Sequence, residues 1–154
     1  LETVITGLDE GVGEPMFDTL EGMISHGMFA IPGIKGVEFG AGFGIADMTG
    51  KEANDSFYTR DGKIYTKTNN AGGINGGITN GMPVIFRCAV RPTPTLSMEQ
   101  DTVDIKEMQD AVLLSKGRHD PCIVHRARIV VDCMTALTVA DMLTTRYGTD
   151  WLAK

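Results

Sequence analysis

Three short stretches of the sequence carry residue types suited to binding a charged ligand. The first, NNAGGINGGITNG at residues 69–81, combines five glycines and four asparagines with no charged side chain. Glycine tolerates positive φ and lets backbone amides approach a ligand closely, so such a run can bind an anion or the edge of a polar ring. Short glycine signals are weak, and an ordered functional loop and a plain turn region stay equally open at this point.

The second stretch, RPTPT at residues 91–95, alternates prolines with hydroxyls behind a cation. Proline stiffens the chain and lacks an amide donor, which leaves Arg91, Thr93 and Thr95 free to contact a phosphate or hydroxyl group. The alternative is the end of an edge strand with solvated threonines. Composition alone favours that alternative.

The third stretch, GRHDPC, places a cation, an imidazole and a carboxylate at a predicted helix start. Asp120 suits a helix N-cap, a role that contributes on the order of 1 kcal/mol, and this role is compatible with a functional one. The planar guanidinium of Arg118 suits bidentate contact with phosphate. His119 is either a functional imidazole or an exposed, inert histidine. Arg126 and Arg128 are either a solvated helix face or part of a cationic wall.

Composition limits the classes of function. The 154 residues carry 14 basic and 20 acidic side chains, a net charge of −6, so the chain has no basic excess for nucleic acid or an anionic membrane. The three cysteines lack CxxC spacing and the three histidines are not placed as ligand pairs, so we expect no metal site and no disulfide framework. Neither a long apolar run nor a leader sequence is apparent, and we therefore expect a cytoplasmic protein without a membrane span.

The elements that position these stretches follow from periodicity and turn residues. Strands are predicted at residues 1–5, 34–39 and 82–92, and the polar segment 50–68 is predicted to form a loose hairpin around Asp61 and Gly62. Residues 93–114 are predicted to be irregular. The pattern predicts one α+β domain over residues 1–154.

Two amphipathic helices complete the prediction. The first is expected to start at Pro15 and end before Pro32, because its apolar residues recur every three or four positions. The second is expected to have Asp120 as its N-cap and Pro121 as its first residue, and to end at Gly148.

Together, in this order and spacing, the three stretches resemble the chorismate synthase family. The upstream segment GVGEPMFDTLEGMISHGMFAIPGIKGVEFGAGF is similar to the same family, so the resemblance covers roughly Val4 to Tyr147. It implies an α+β fold in which an antiparallel sheet packs on two long amphipathic helices, as half of the family's β-α-β sandwich. It also implies a lyase of the shikimate pathway that converts 5-enolpyruvylshikimate 3-phosphate into chorismate and requires reduced FMN.

The resemblance also implies roles for individual residues. Asp120 matches the aspartate proposed to relay a proton near N5 of the flavin. The residues that match cofactor-proximal positions of the family are Pro32, Gly33, Gly76, Arg91, Pro92, Thr93, Pro94, Thr95 and Arg118. We expect Gly76, Thr93 and Asp120 to line a single flavin pocket. The departures from the family pattern are Gly33 for alanine, Arg91 for lysine, His125 for proline and Asp132 for glutamate.

The family's amino-terminal motifs have no match in this sequence. The chain therefore resembles the carboxy-terminal half alone, and we expect it to be unable to perform the elimination by itself. Half of the sandwich leaves an apolar helix face uncovered, so we expect a homo-oligomer or pairing with an amino-terminal half. The alternative function is a non-catalytic flavin-binding domain, or a structural domain that associates with itself.

Overall fold

The structure, a computed structural model, describes residues 1–149. Within them lie nine strands and three α-helices, and 3₁₀ turns occupy Met16–Asp18 and Gly42–Asp47. The strands are β1 (Glu2–Ile5), β2 (Ile34–Phe39), β3 (Phe57–Arg60), β4 (Lys63–Thr66), β5 (Ile74–Asn75), β6 (Ile78–Thr79), β7 (Val84–Val90), β8 (Glu99–Asp104) and β9 (Gln109–Leu114). The helices are α1 (Leu20–Phe29), α2 (Gly50–Ala53) and α3 (Val124–Tyr147). The predicted α+β class is confirmed.

A three-stranded antiparallel sheet in the order β1-β7-β2 forms the centre of the fold. Central strand β7 has the β-branched, alternating sequence VIFRCAV, and its residues Val84, Phe86 and Cys88 are buried on one face. This alternation is what a strand with one face on a core requires. The other three strand pairs are the separate hairpins β3-β4, β5-β6 and β8-β9.

Helix α1 covers the buried face of the sheet region. Leu20, Ile24 and Met28 recur every four residues, are fully buried, and join the buried residues of β7 in one core. Each such burial contributes about 1.5–3 kcal/mol. Helix α3 crosses α1 at Gly27, where a methyl group in place of the glycine hydrogen would lie 2.9 Å from Thr138 Oγ1. The glycine therefore permits the close approach of the two helices.

Both helices begin later than the sequence predicted. Met16–Asp18 forms a 3₁₀ turn, and α1 begins at Leu20 because the Thr19 side chain accepts a hydrogen bond from the Gly22 amide at 3.0 Å. Helix α1 has only ten residues, so only α3 is long.

The predicted N-cap of the second helix is wrong. Helix α3 begins at Val124, and its N-cap is Ile123, which makes no side-chain capping bond. The Asp120 carboxylate is instead drawn into an ion pair with Arg126. The predicted end is confirmed, because Gly148 has φ of 69° directly after Tyr147.

The segment 93–114, predicted to be irregular, contains the hairpin β8-β9. Its turn is formed by the Asp104 side chain, which accepts hydrogen bonds from the amides of Lys106 and Glu107 at 2.8 and 3.1 Å. Met108 then takes φ of 51°, a left-handed conformation unusual for its type. The predicted hairpin at Asp61 and Gly62 is confirmed, with φ of 52° and 74°.

Much apolar surface stays exposed in this arrangement. On α3 only Val131, Thr135 and Met142 are buried, while Ile129 and Leu137 are 59% and 66% exposed. The uncovered helix face that the sequence led us to expect is therefore present. Among residues 1–149, no helix has the length and apolar character needed to cross a bilayer.

A buried carboxylate ties α2 to the glycine-rich loop. Asp55 Oδ1 accepts from the Thr68 hydroxyl at 2.6 Å and from the Asn70 amide at 2.8 Å, and Oδ2 accepts from the Ala71 amide at 2.8 Å. Burial raises the pKa of Asp55, but the hydrogen bonds from Thr68, Ala71 and Asn70 together outweigh it and leave the pKa below its ordinary value.

Replacing the Asp55 carboxylate tests whether its hydrogen bonds stabilise the fold. Asp55→Asn removes the charge and one of the acceptors, so we expect a loss of about 1–3 kcal/mol of unfolding free energy at pH 7, measured by urea denaturation. Because the folded pKa is lowered, the contribution is complete above the unfolded pKa of about 4 and is lost as the pH falls through the folded value. The difference between wild type and variant should therefore shrink on acidification. In the exposed control, Asp110→Asn, the free energy of unfolding should change little. Equal losses in both variants would contradict a stabilising role for the Asp55 hydrogen bonds.

Candidate functional site

An open cavity of about 550 Å³ lies where the chain leaving β7 meets the segment that precedes α3. Its walls come from two of the three stretches that the sequence singled out. The lining residues are Thr93, Thr95, Arg118, His119, Asp120, Ile123 and Arg126. The RPTPT and GRHDPC stretches thus form one site.

Backbone contacts at the end of β7 fix the position of this cavity. The Arg91 amide donates to the Gly33 carbonyl at 2.8 Å, which joins the end of β7 to the turn after α1. Gly33 has φ of 97°, and a methyl group there would lie 3.4 Å from Ile123 Cδ1. Ile123 therefore packs against this turn. Because Ile123 directly precedes α3, this contact positions the start of the helix.

The two arginines of the cavity differ in whether they form an ion pair. Arg126 Nη2 lies 3.0 Å from Asp120 Oδ2, with the two side chains 80% and 41% exposed. An exposed pair of this kind contributes about 0–1 kcal/mol, so it orients the carboxylate more than it stabilises the fold. Within residues 1–149, Arg118 has no ion-pair partner. The cavity is therefore cationic in a chain whose net charge is −6.

Two polar atoms in the cavity wall are withdrawn from solvent and lack a partner. Thr93 Oγ1 and His119 Nε2 are buried and make no hydrogen bond with the described part of the chain. Buried polar atoms in native proteins are nearly always paired, because leaving one unpaired costs about 1–3 kcal/mol. Both atoms belong to residues that line the cavity, so its wall keeps hydrogen-bonding capacity for a polar ligand group.

The other residues predicted to contact the cofactor lie around the cavity or away from it. Gly33 and Arg91 form the backbone contact beneath Ile123, although neither lines the cavity. Pro32, Pro92 and Pro94 are exposed and also lie outside the lining. Four of the predicted residues are brought together in the lining: Thr93, Thr95, Arg118 and Asp120.

Gly76 does not line this cavity, so the cavity joins only two of the three stretches, and the cofactor contact expected at Gly76 stays a prediction. Gly76 lies in the turn of β5-β6, where the Leu20 amide donates to the Gly77 carbonyl at 2.9 Å. That contact is at the first residue of α1, whereas Gly33 follows its last turn. Ten helical residues separate the two ends by about 15 Å.

Most glycines of the loop serve backbone packing. Gly72, Gly73 and Gly77 are buried, and all have positive φ. A methyl group at Gly73 would lie 2.5 Å from the Pro83 carbonyl oxygen, and one at Gly77 would lie 2.6 Å from that of Glu14. The loop is ordered, and its buried glycines let main chains approach each other closely; the functional role that one of the two interpretations gave it stays a prediction. Gly76 is exposed, and a methyl group there would meet no atom within 4 Å.

Sequence reasoning undervalued two residues of the cavity. The sequence allows an exposed, inert His119 as one alternative. It does not decide whether Arg126 lies on a solvated helix face or forms part of a cationic wall. If the helix began at Pro121, the separation of six positions would place Arg126 on a different face from Asp120. The pair forms because residues 120–123 are not helical.

Comparison with known proteins places this geometry in a family. A sequence model of chorismate synthase matches residues 1–144. The chain belongs to the chorismate synthase family. Among its curated relatives, chorismate synthase of Korarchaeum cryptofilum is 50% identical over 141 residues, covering 92% of this chain and 39% of the relative. Chorismate synthase of Archaeoglobus fulgidus is 48% identical over 143 residues, covering 93% of this chain and 40% of the relative.

A solved structure agrees with the family assignment. A crystal structure of chorismate synthase superimposes with a TM-score of 0.75 at 31% identity, covering 96% of this chain and 37% of the other. The chain therefore spans about two fifths of the length of the chorismate synthases that it matches.

The distinction between Gly73 and Gly76 can be tested by stability. Gly73→Ala introduces both a strained φ of 83° and a clash with backbone, so we expect a loss of about 2–5 kcal/mol. Gly76→Ala has the strain without the clash and should cost about 1–2 kcal/mol. Urea denaturation of the two variants checks this order. Equal losses would contradict a packing role for Gly73.

Proposed function

We propose that the chain is the carboxy-terminal part of a chorismate synthase and contributes one wall of its cofactor and substrate site. The full reaction is the anti elimination of phosphate from 5-enolpyruvylshikimate 3-phosphate, the last common step of the shikimate pathway. The supporting observation is the cationic cavity in which Thr93 Oγ1 and His119 Nε2 have no hydrogen-bond partner among residues 1–149. We further propose that the protein is cytoplasmic; Cys88, Cys122 and Cys133 are all free thiols.

Reduced FMN, when bound, supplies an electron transiently to the substrate, so that phosphate leaves although the reaction has no net redox change. In the substrate, one C–O bond to phosphate and one ring C–H bond break, and a carbon–carbon double bond forms. The protein must therefore hold an anionic leaving group and provide for a proton.

The residues of the cavity suit these tasks. Arg118 offers a planar guanidinium to an anionic group of the cofactor or the substrate. The hydroxyls of Thr93 and Thr95 are donors that prolines on either side hold in place. Asp120 is the group that accepts or releases a proton, and Arg126 orients its carboxylate at 3.0 Å.

Other predicted contacts keep supporting roles in this proposal. The turn of Pro32 and Gly33 and the backbone of Arg91 hold Ile123 at the cavity. Pro92 and Pro94 stiffen the segment that carries the two threonines. Gly76 does not line this cavity, and its contact with the cofactor stays a prediction.

The catalytic assignment is tested by reconstitution. The isolated chain offers one carboxylate and an open cavity, so we expect no chorismate from it with reduced FMN and 5-enolpyruvylshikimate 3-phosphate under anaerobic conditions. Addition of the remaining part of a family member should restore turnover, and Asp120→Asn should lower the restored rate by about 10²–10⁴-fold. Asp110→Asn is the exposed control. Turnover by the isolated chain would refute the need for a second part.

The apolar face of α3 supports association. Ile129, Cys133 and Leu137 are spaced by four residues and exposed, with Val130 beside them. Such a stripe is typical of a surface that packs against another chain. We propose that it is covered by a second copy or by the amino-terminal part of the enzyme.

We therefore expect the purified chain to sediment as a species larger than its 16.6 kDa monomer. Leu137→Lys places a charge on the stripe and should shift the species to the monomer, because burying an unpaired charge is costly. Thr145→Lys, at an exposed polar position of the same helix, should not. Analytical ultracentrifugation provides the measurement, and a monodisperse wild-type monomer would contradict association of the isolated chain.

The same exposed stripe favours a second candidate function, a structural domain that associates with itself and retains at most flavin binding. Flavin titration separates the two kinds of domain. Restored turnover on reconstitution separates the enzyme from both.

A further inference from the structure

The carboxylate of Asp55 holds the start of the glycine-rich loop, and it is not among the residues that line the cavity at the α3 end of β7. Asp55 is buried, and both of its oxygens accept hydrogen bonds. The donors are the Thr68 hydroxyl and the backbone amides of Asn70 and Ala71. Hydrogen bonds to an ionised acceptor are about twice as strong as those between neutral groups. One side chain therefore fixes the segment that leads into the loop.

Backbone hydrogen bonds connect this segment to the hairpin β5-β6. The Ile85 amide of β7 donates to the Gly72 carbonyl at 3.1 Å, and the Asn80 amide donates to the Gly73 carbonyl at 3.0 Å. These bonds hold the base of the hairpin, while the bond from the Leu20 amide to the Gly77 carbonyl holds its tip. Of the side chains and backbone groups in these contacts, only the Asp55 carboxylate is charged.

Gly76, at the tip of the hairpin, is not accounted for by packing. It is exposed, and a methyl group in place of its hydrogen would meet no atom within 4 Å. The surface over Gly76 therefore leaves room for a ligand to approach the main chain. Because residues 69–81 carry no charged side chain, an uncharged polar ring suits this surface better than a phosphate does.

We propose that Asp55 is a positioning residue of the cofactor site. It holds the loop in the conformation in which the main chain at Gly76 contacts the uncharged ring system of the flavin. The inference rests on the proposed function, since it requires that the chain takes part in binding the cofactor. A loop that is already held in its binding conformation loses less entropy when the ligand binds. Asp55 therefore raises the affinity for flavin without touching it.

Flavin titration of the purified chain tests this role, with riboflavin and FMN as probes. Asp55→Asn replaces one acceptor oxygen with an amide group that faces backbone donors. We expect the dissociation constant of riboflavin to rise by about tenfold, which corresponds to the loss of one charged hydrogen bond. The dissociation constant of FMN should rise by the same factor, because the loop contacts the ring and not the phosphate. Fluorescence quenching measures both constants.

Thr68 offers a conservative pair of variants. Thr68→Ser retains the hydroxyl that donates to Asp55 at 2.6 Å, so its flavin affinity should equal that of wild type. Thr68→Val removes the hydroxyl and should weaken flavin binding by about threefold, less than Asp55→Asn does, because two of the three hydrogen bonds remain. Combined with Asp55→Asn, Thr68→Val should add little, because the two residues share one interaction.

Ile24→Val separates positioning from general stability. Ile24 is fully buried in α1, so the loss of its methyl group destabilises the core away from the loop. The flavin affinity of this variant should equal that of wild type. All titrations are made at a temperature at which circular dichroism shows each variant to be folded.

The outcomes separate this inference from the wider proposal. Unchanged flavin affinity in Asp55→Asn, when wild type binds flavin, overturns the positioning role and leaves the proposed function standing. Equal weakening by Ile24→Val, or a loss of affinity confined to FMN, also overturns the positioning role. An absence of flavin binding by wild type contradicts the cofactor assignment itself, and the inference is overturned with it.

Discussion

The fold depends on how central strand β7 is held at its two ends. At one end, the Arg91 amide bonds to the Gly33 carbonyl, and Ile123 rests on the same turn. At the other end, buried glycines let the 69–81 loop pass within contact of the main chain at Pro83. The Arg91–Gly33 hydrogen bond and the close approach at the glycines are made by backbone atoms. The main chain can therefore shift little at either end of β7. The cavity is therefore fixed relative to the core, although Arg118 and Arg126 in its lining are exposed.

Local signals were sufficient for much of this fold. The alternation of Val84, Phe86 and Cys88 identified β7. The residue pair Asp61 and Gly62 predicted the hairpin turn, and both residues have the positive φ that such a turn requires. Failures came where a distant partner decides the structure. Aspartate is a residue type typical of an N-cap. The carboxylate of Asp120 nevertheless forms an ion pair with Arg126, and the helix begins four residues after Asp120. No local pattern reveals that choice, because both outcomes satisfy the same carboxylate.

The site was predictable to a similar degree. The family resemblance selected Thr93, Thr95, Arg118 and Asp120, and the structure brings these four together. Gly76 was grouped with them because glycine runs suit both ligand contact and backbone crossing, and sequence does not distinguish the two. His119 was undervalued for the opposite reason. Only coordinates show that the imidazole lies against Gly117 and that its Nε2 atom is shielded from solvent without a partner among residues 1–149.

A chain that spans two fifths of its relatives presents an open, cationic cavity and an uncovered helix, the two features that a missing neighbour would complete. The central proposal is that ligand binding by this chain occurs at the α3 end of β7. Amide chemical-shift mapping of the chain during FMN titration tests it most directly. The account predicts perturbations at Thr93, Arg118 and His119. Perturbations centred on Gly76, with the α3 end unchanged, would contradict it.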